Sequence, residues 1–213
     1  LPKELVKIMI LKVRDMAQKG VIEITKTGEV FASVNENKGI YTPVYETQNL
    51  ANAVFQIYAA EDITTLDGTV RVQQGELVDE ITTGANGIAK SKQLYLGKYT
   101  VIEKTAPNGY VNANEQYNVE LTYAGQNVSV TNANLSVYNE RQRVTVSLKK
   151  VIEENEIFNL GNNDEITSIT FGLYAGETIT VSDKTYIPAD ALITSANCDK
   201  DGNITFDCDL PIG

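Results

Sequence analysis

The chain contains no histidine and no tryptophan, and only two cysteines among its 213 residues. The missing histidines remove the commonest general base and the commonest metal ligand. Two cysteines alone cannot build a zinc site. No nucleophile elbow, phosphate-binding loop or dinucleotide fingerprint is present. A conventional enzyme is therefore not expected, and neither is a metal or a cofactor. Positive charge is also scarce, with 18 Lys and Arg against 28 Asp and Glu, a net charge of -10. No basic patch is evident to neutralise phosphates, which argues against nucleic acid. The same balance disfavours docking on anionic membranes. No apolar run is long enough to span a bilayer, and neither a signal peptide nor a Gly/Ser linker is seen. The segment thus reads as a piece excised from a larger protein, with no membrane insertion of its own.

What is present is the signature of an all-β chain. Thr, Val, Ile and Tyr recur in short runs bounded by Asn, Gly and Asp. With 42% hydrophobic residues the chain can bury cores, and its length suits one or two domains. The most informative stretch is Tyr99-Thr-Val-Ile-Glu-Lys-Thr-Ala-Pro-Asn-Gly-Tyr110. Side chains alternate along a strand, so Tyr99, Val101 and Glu103 share one face. An acid on that apolar face is buried, and burial disfavours the ionised form unless a special partner is found. The same alternation places Lys26 in the row of Ile22 and Ile24, and Asn139 in the row of Leu135 and Val137.

Three polar residues on core-facing positions suit a buried reactive cluster. A lysine must be neutral to act as a nucleophile, and an apolar site lowers its pKa. A neighbouring carboxyl in its protonated form polarises an amide carbonyl. Plainer readings stand beside this one: a lysine at a strand end snorkels to water, and an asparagine there forms a turn.

The motif Y-x-V-x-E-x-x-A-P-x-G-Y resembles the "E-box" of Cna protein B-type domains, also called SpaA-like pilin domains. These are prealbumin-like sandwiches of Gram-positive surface proteins and pili. The resemblance asks for a lysine ending the first strand and an asparagine in the last, and Lys26 and Asn139 stand there. It implies that Lys26 and Asn139 condense into an intramolecular isopeptide bond, with Glu103 as proton shuttle, in a single turnover and without a cofactor. It further implies a structural stalk or adhesin module, extracellular and cell-wall-anchored through an anchor outside this segment. The expected partners are neighbouring repeats of the same protein. The alternative is a ligand-binding surface domain for host matrix or glycan. The opening Leu-Pro-Lys-Glu-Leu is not a sorting signal, because it lacks Thr-Gly.

The chain also repeats itself. Phe55-Gln-Ile-Tyr58-Ala-Ala-Glu61 aligns with Phe171-Gly-Leu-Tyr174-Ala-Gly-Glu177, and Leu94-Tyr-Leu-Gly97 aligns with Leu210-Pro-Ile-Gly213. We therefore expect tandem prealbumin-like (Ig-like, Greek-key) β-sandwiches: a linker or short helix at 1–19, a first sandwich at 20–142, and a second at 143–213, truncated before its own Glu and Asn. Lys150 is the second-sandwich counterpart of Lys26. The join Asn139-Glu-Arg-Gln-Arg-Val144 is short and has no Gly or Pro, so a fairly fixed end-to-end array is expected. Residues 27–49 form an insert whose Tyr41 and Tyr45 could make a hairpin or a binding surface, with plain packing as the favoured reading. Cys198 and Cys208 flank the turn signal Asp199-Lys-Asp-Gly-Asn203, which makes a hairpin disulfide a candidate. The same stretch departs from a calcium loop in the place of its Gly, so a plain turn is expected.

Overall fold

The computed structural model describes residues 17–154, 157, 164–181 and 184–210. The helix or linker expected at the N-terminus lies outside the described residues as far as residue 16. Gln18 is already tied to the first sandwich: its side chain donates to the carbonyls of Gly125 and Val128 and accepts from the amide of Ala124.

Apart from one 3-10 turn at Glu165–Ser168, the regular structure of the described residues is all strand. The chain runs β1 (Lys19–Asn37), β2 (Ile40–Asn49), β3 (Val54–Ala59), β4 (Ile63–Thr64), β5 (Val70–Val72), β6 (Leu77–Thr82), β7 (Ile88–Lys90), β8 (Leu94–Tyr95), β9 (Gly97–Thr105), β10 (Gln116–Leu121) and β11 (Val130–Asn139). It continues through β12 (Val144–Lys149), β13 (Thr170–Tyr174), β14 (Ile179–Val181), β15 (Lys184–Ile187), β16 (Leu192–Asn197) and β17 (Asn203–Leu210).

Two sheets make the first sandwich. One holds β11, β1 and the short strands β7 and β8, both paired with β1; the other runs β10-β9-β3-β6. The first and last strands of the sandwich, β1 and β11, are parallel neighbours in register from Lys19 opposite Val130 to Gly28 opposite Asn139. Between the sheets Ile22, Ile24, Phe55, Ile57, Val101, Leu121 and Val137 form one core. Each such side chain contributes about 1.5–3 kcal/mol by leaving water. The alternation of buried and open positions over Lys19–Gly28 is the one read from the sequence, with Lys26 kept in the buried row.

The repeat is visible in the pairing. β12 pairs with β17 and β13 with β16, as β1 pairs with β7 and β8 and β3 with β6. Leu210 sits opposite Val144 as Leu94 sits opposite Gly20. The Lys26 amide donates to Gly87 O at 2.8 Å, and the Lys150 amide donates to Gly202 O at 2.7 Å. Both glycines have positive φ, 69° and 80°, and both lie against the carbonyl of their lysine, where a Cβ would collide. The second unit has a small core of Cys198, Ile204 and Phe206.

One expectation changes here. The Cys198–Cys208 disulfide is not formed: both are free thiols. The turn closes with Asp199 N–H donating to Asn203 O. Cys208 lies four residues along β17 from Ile204, roughly 13 Å of strand at 3.3 Å per residue, far beyond disulfide reach. The turn itself is held by Asp199, whose Oδ1 accepts from the amides of Asp201 and Asn203. The insert at 27–49 is a hairpin, and it is packed, as its favoured reading has it. It extends β1 and β2 beyond the first sandwich, and Ile40 of β2 pairs in parallel with Leu192 of β16. The strands β11-β1-β2-β16-β13 thus form one continuous sheet across both units.

Candidate functional site

The site sits between the two sheets of the first sandwich. β1 supplies Lys26 in the row of Ile22 and Ile24, and β11 supplies Asn139 beside Val137. β9, on the facing sheet, supplies Glu103 in the row of Tyr99 and Val101. The parallel pairing of β1 with β11 sets Asn139 opposite Gly28, two residues past Lys26. The three side chains predicted from alternation therefore meet, and all are cut off from water: Lys26 is 0%, Glu103 4% and Asn139 3% exposed.

Glu103 bridges the other two. Its Oε2 accepts a hydrogen bond from Asn139 Nδ2 at 2.8 Å. Its Oε1 lies 4.0 Å from Lys26 Nζ and has no hydrogen-bond partner of its own. Lys26 Nζ is steered by two main-chain carbonyls, Thr27 O at 3.2 Å and Val137 O at 3.3 Å. Burial brings the Lys26 pKa down from 10.5 to about 8, against the opposing pull of the Glu103 charge. At that value roughly a tenth of the amine is neutral at pH 7, far more than for an exposed lysine. One carboxylate thus has one oxygen near a nucleophile and the other on the nitrogen of an amide. That geometry suits proton transfer between the two.

The surroundings hold the cluster in place through residues that alternation alone does not mark. β10 begins only at Gln116, opposite Ile102, so the next carbonyl of β9 on that side lacks a strand partner. The Asn112 side chain fills the gap, donating to Glu103 O at 2.9 Å. The turn after β9 is closed by Tyr110 N–H donating to Pro107 O, with Gly109 at φ 84°. It folds over the exit of β11: Val111 N–H donates to Glu140 O, and Gln142 N–H to Gly109 O. Tyr110 reaches across to β1 and donates its hydroxyl to Glu29 O at 2.7 Å. Gly28 is small because it must be: a Cβ there would sit 2.7 Å from Asn139 O and 2.8 Å from the Tyr110 ring. The signals for the turn and for the close approach of β1 lay in the Asn-Gly-Tyr of the motif and in Gly28, on the same face as Lys26; Asn112 carried none.

Residues 42–135 match the family model of the SpaA prealbumin-like fold domain. Over the matched residues the first sandwich has the prealbumin-like fold of that family model. No curated protein matches the chain in sequence. Among solved structures, the TIE protein of Bacillus anthracis is similar at 21% identity with a TM-score of 0.52, covering 92% of this chain and 27% of that one. The minor pilin GBS52 of Streptococcus agalactiae is similar at 15% identity and TM-score 0.39, covering 64% and 49% of the two chains. The major pilin SpaD of Corynebacterium diphtheriae gives 20% identity and TM-score 0.37, covering 62% and 34%. The chain thus spans a quarter to a half of the length of these proteins. At these identities the likeness is one of fold, and the TIE protein extends it over both units of the chain.

In the second unit Lys150 follows the end of β12, half-buried, with its amide on Gly202 O as described. In the first sandwich all three residue types meet. Among the described residues no cluster of His, Cys, Asp and Glu is arranged to hold a metal.

Proposed function

We propose that the first SpaA-type domain crosslinks itself through an amide between Lys26 and Asn139, and that the chain is a structural module of a Gram-positive surface or pilus-like protein. The observation that carries this reading is Glu103 spanning the lysine nitrogen and the asparagine amide in a buried site. In the reaction the neutral Lys26 amine attacks Cγ of Asn139. Glu103 accepts the proton released from Nζ and delivers one to Nδ2. The C–Nδ2 bond breaks, ammonia leaves, and a C–Nζ amide remains. Nothing is oxidised or reduced, no co-reactant is consumed, and the carboxyl ends as it began. The protein acts once on itself, so this is not enzymatic turnover.

The parallel pairing of β1 and β11 gives the bond its mechanical sense. Tension entering at Lys19 and leaving past Asn139 would shear the ladder between these strands. An amide from Lys26 to Asn139 carries that tension through a covalent link instead. The expected partners are adjoining modules of the same protein, and the expected location is the cell surface. The division into modules near residue 142 belongs to the same reading. The test is the intact mass of the purified protein, measured denatured: one ammonia below the sequence mass supports the amide, and the full sequence mass refutes it. A host-matrix or glycan ligand is the second reading. Its supporting surface is reduced, because Tyr41 and Tyr45 of the insert are half-buried against the second unit; a glycan and collagen-peptide array tests it directly.

A further inference from the structure

The join between the two units contains more than a short linker. Arg141, two residues past Asn139, is 7% exposed. Its guanidinium lies over the Tyr45 ring, 3.6 Å from the centroid. It faces Glu29 of β1, with Nε at 3.6 Å from Oε2, and pairs with Asp209 of β17. It also donates to Leu210 O at 3.0 Å. Arg143 stands outside the same two acids at 3.7 Å and 3.9 Å. The Tyr45 hydroxyl donates to Asp209 O at 3.4 Å. One buried cation therefore touches the first sandwich, its hairpin and the last described strand of the second unit.

The hairpin supplies the apolar part. Val34 and Tyr41 pack against Ala175, Ile187 and Ile193 of the second unit. Phe31 meets Tyr186 edge-on, with centroids 5.4 Å apart. Units joined by a small polar contact are free to move by default, and a large apolar contact removes that freedom. Here the apolar contact and the continuous sheet hold the units together. The buried guanidinium selects one arrangement, since both of its acids are in reach only when Glu29 and Asp209 are brought to the same place.

We propose that the β1–β2 hairpin is an interdomain docking arm whose partner is the second unit of the same chain, and that Arg141 is its pin. The two units then turn as one rod. This joint lies outside the Lys26–Glu103–Asn139 cluster and stands whether or not the amide forms.

The experiment is backbone ¹⁵N relaxation on the full chain, read separately for amides of the two units. The wild type should show one shared rotational correlation time. Arg141→Lys keeps the charge but loses the planar fork and the stacking on Tyr45, so the shared value should be lost and the second unit should tumble faster. Val34→Ser with Tyr41→Ser should uncouple the units further. Amide dispersion reports in each case whether the second unit is still folded. Two correlation times in the wild type would overturn the docked rod. A single shared time retained in Arg141→Lys, with both units folded, would overturn the role of Arg141. Unfolding of the second unit in the serine pair, while Arg141→Lys stays coupled, would also overturn it, making the hairpin a piece of core and not a pinned arm.

Discussion

Replacing Glu103 by Gln tests the crosslink with the least disturbance. Glutamine keeps the volume and the buried position but cannot carry a proton from Lys26 Nζ to Asn139 Nδ2. The Glu103→Gln protein should therefore keep its full sequence mass, while the wild type weighs one ammonia less. The stability difference follows from topology. Lys26 lies in the first strand of the sandwich and Asn139 in the last, so the amide closes a loop of over a hundred residues. The chain-entropy relation for crosslinks gives about 5 kcal/mol for a loop of that size. For a domain of this length that corresponds to roughly 15–25 °C in melting temperature. The assay is calorimetry of both proteins beside their intact masses. Loss of ammonia in Glu103→Gln would show that the carboxyl is not needed. Equal melting temperatures despite the mass difference would show that the bond does not constrain unfolding, and the mechanical reading would lose its basis.

Three further substitutions probe the same cluster. Asn139→Ala leaves Lys26 as a free buried amine with its pKa near 8, against 10.5 in the unfolded chain. The unfolded state then holds more protons between those values, so stability should rise with pH from about 8 to 10.5, by about 3 kcal/mol in all. The wild type has no such amine once crosslinked. A denaturant series from pH 7 to 11 on both proteins isolates the difference, because tyrosine titration is common to them; parallel curves would refute it. Gly28→Ala should push β1 away from Asn139 and Tyr110 and leave much of the protein at full sequence mass; complete loss of ammonia would show that the strands yield. Asn112→Ala removes the tether on Glu103 O, and should slow ammonia loss in freshly synthesised protein without lowering its final extent. Wild-type kinetics would reduce Asn112 to a loop residue.

The site was largely legible from the chain because each of its residues breaks a regular pattern. Lys26, Glu103 and Asn139 interrupt apolar rows of period two, and period two survives whatever the sheets do next. Their meeting was not legible from alternation. That depends on β1 and β11 being parallel neighbours with β9 facing them, a long-range arrangement that only the family motif anticipated. Asn112 escaped notice because its task exists only where β10 stops short of Glu103. The repeat was readable because Phe55, Tyr58 and Glu61 recur at the same spacing as Phe171, Tyr174 and Glu177; that Gly87 and Gly202 each lie against the carbonyl of their lysine is seen only in the structure. The Cys198–Cys208 pairing failed for the opposite reason. A turn signal between two cysteines fixes the turn but not which residues face each other beyond it, and four residues of strand are enough to separate the sulfurs. The insert at 27–49 showed its hairpin in the sequence, but not its partner, since Val34 and Tyr41 find their neighbours more than a hundred residues away.

The crosslink and the joint act on the same line of tension. Force arriving along β1 reaches Lys26 after eight residues of strand. Through the proposed amide it passes to Asn139, and then along the main chain through Arg141 to β12. The rest of β1, all of the hairpin and β11 before Asn139 fall outside that line. The hairpin arm thus stays unstrained while the covalent path is loaded, and can keep the second unit oriented. Without the amide the same pull would enter β1 and strip it from β11, dragging the arm out of the second unit as it went. A single-molecule pulling experiment separates the two cases. The wild type should extend only by the unfolding of the second unit. Glu103→Gln should add the contour length of the residues between Lys26 and Asn139, roughly 350–400 Å at 3.3–3.6 Å per residue. An equal extension in both proteins would mean that tension never crosses from Lys26 to Asn139, and that the buried cluster is no mechanical link.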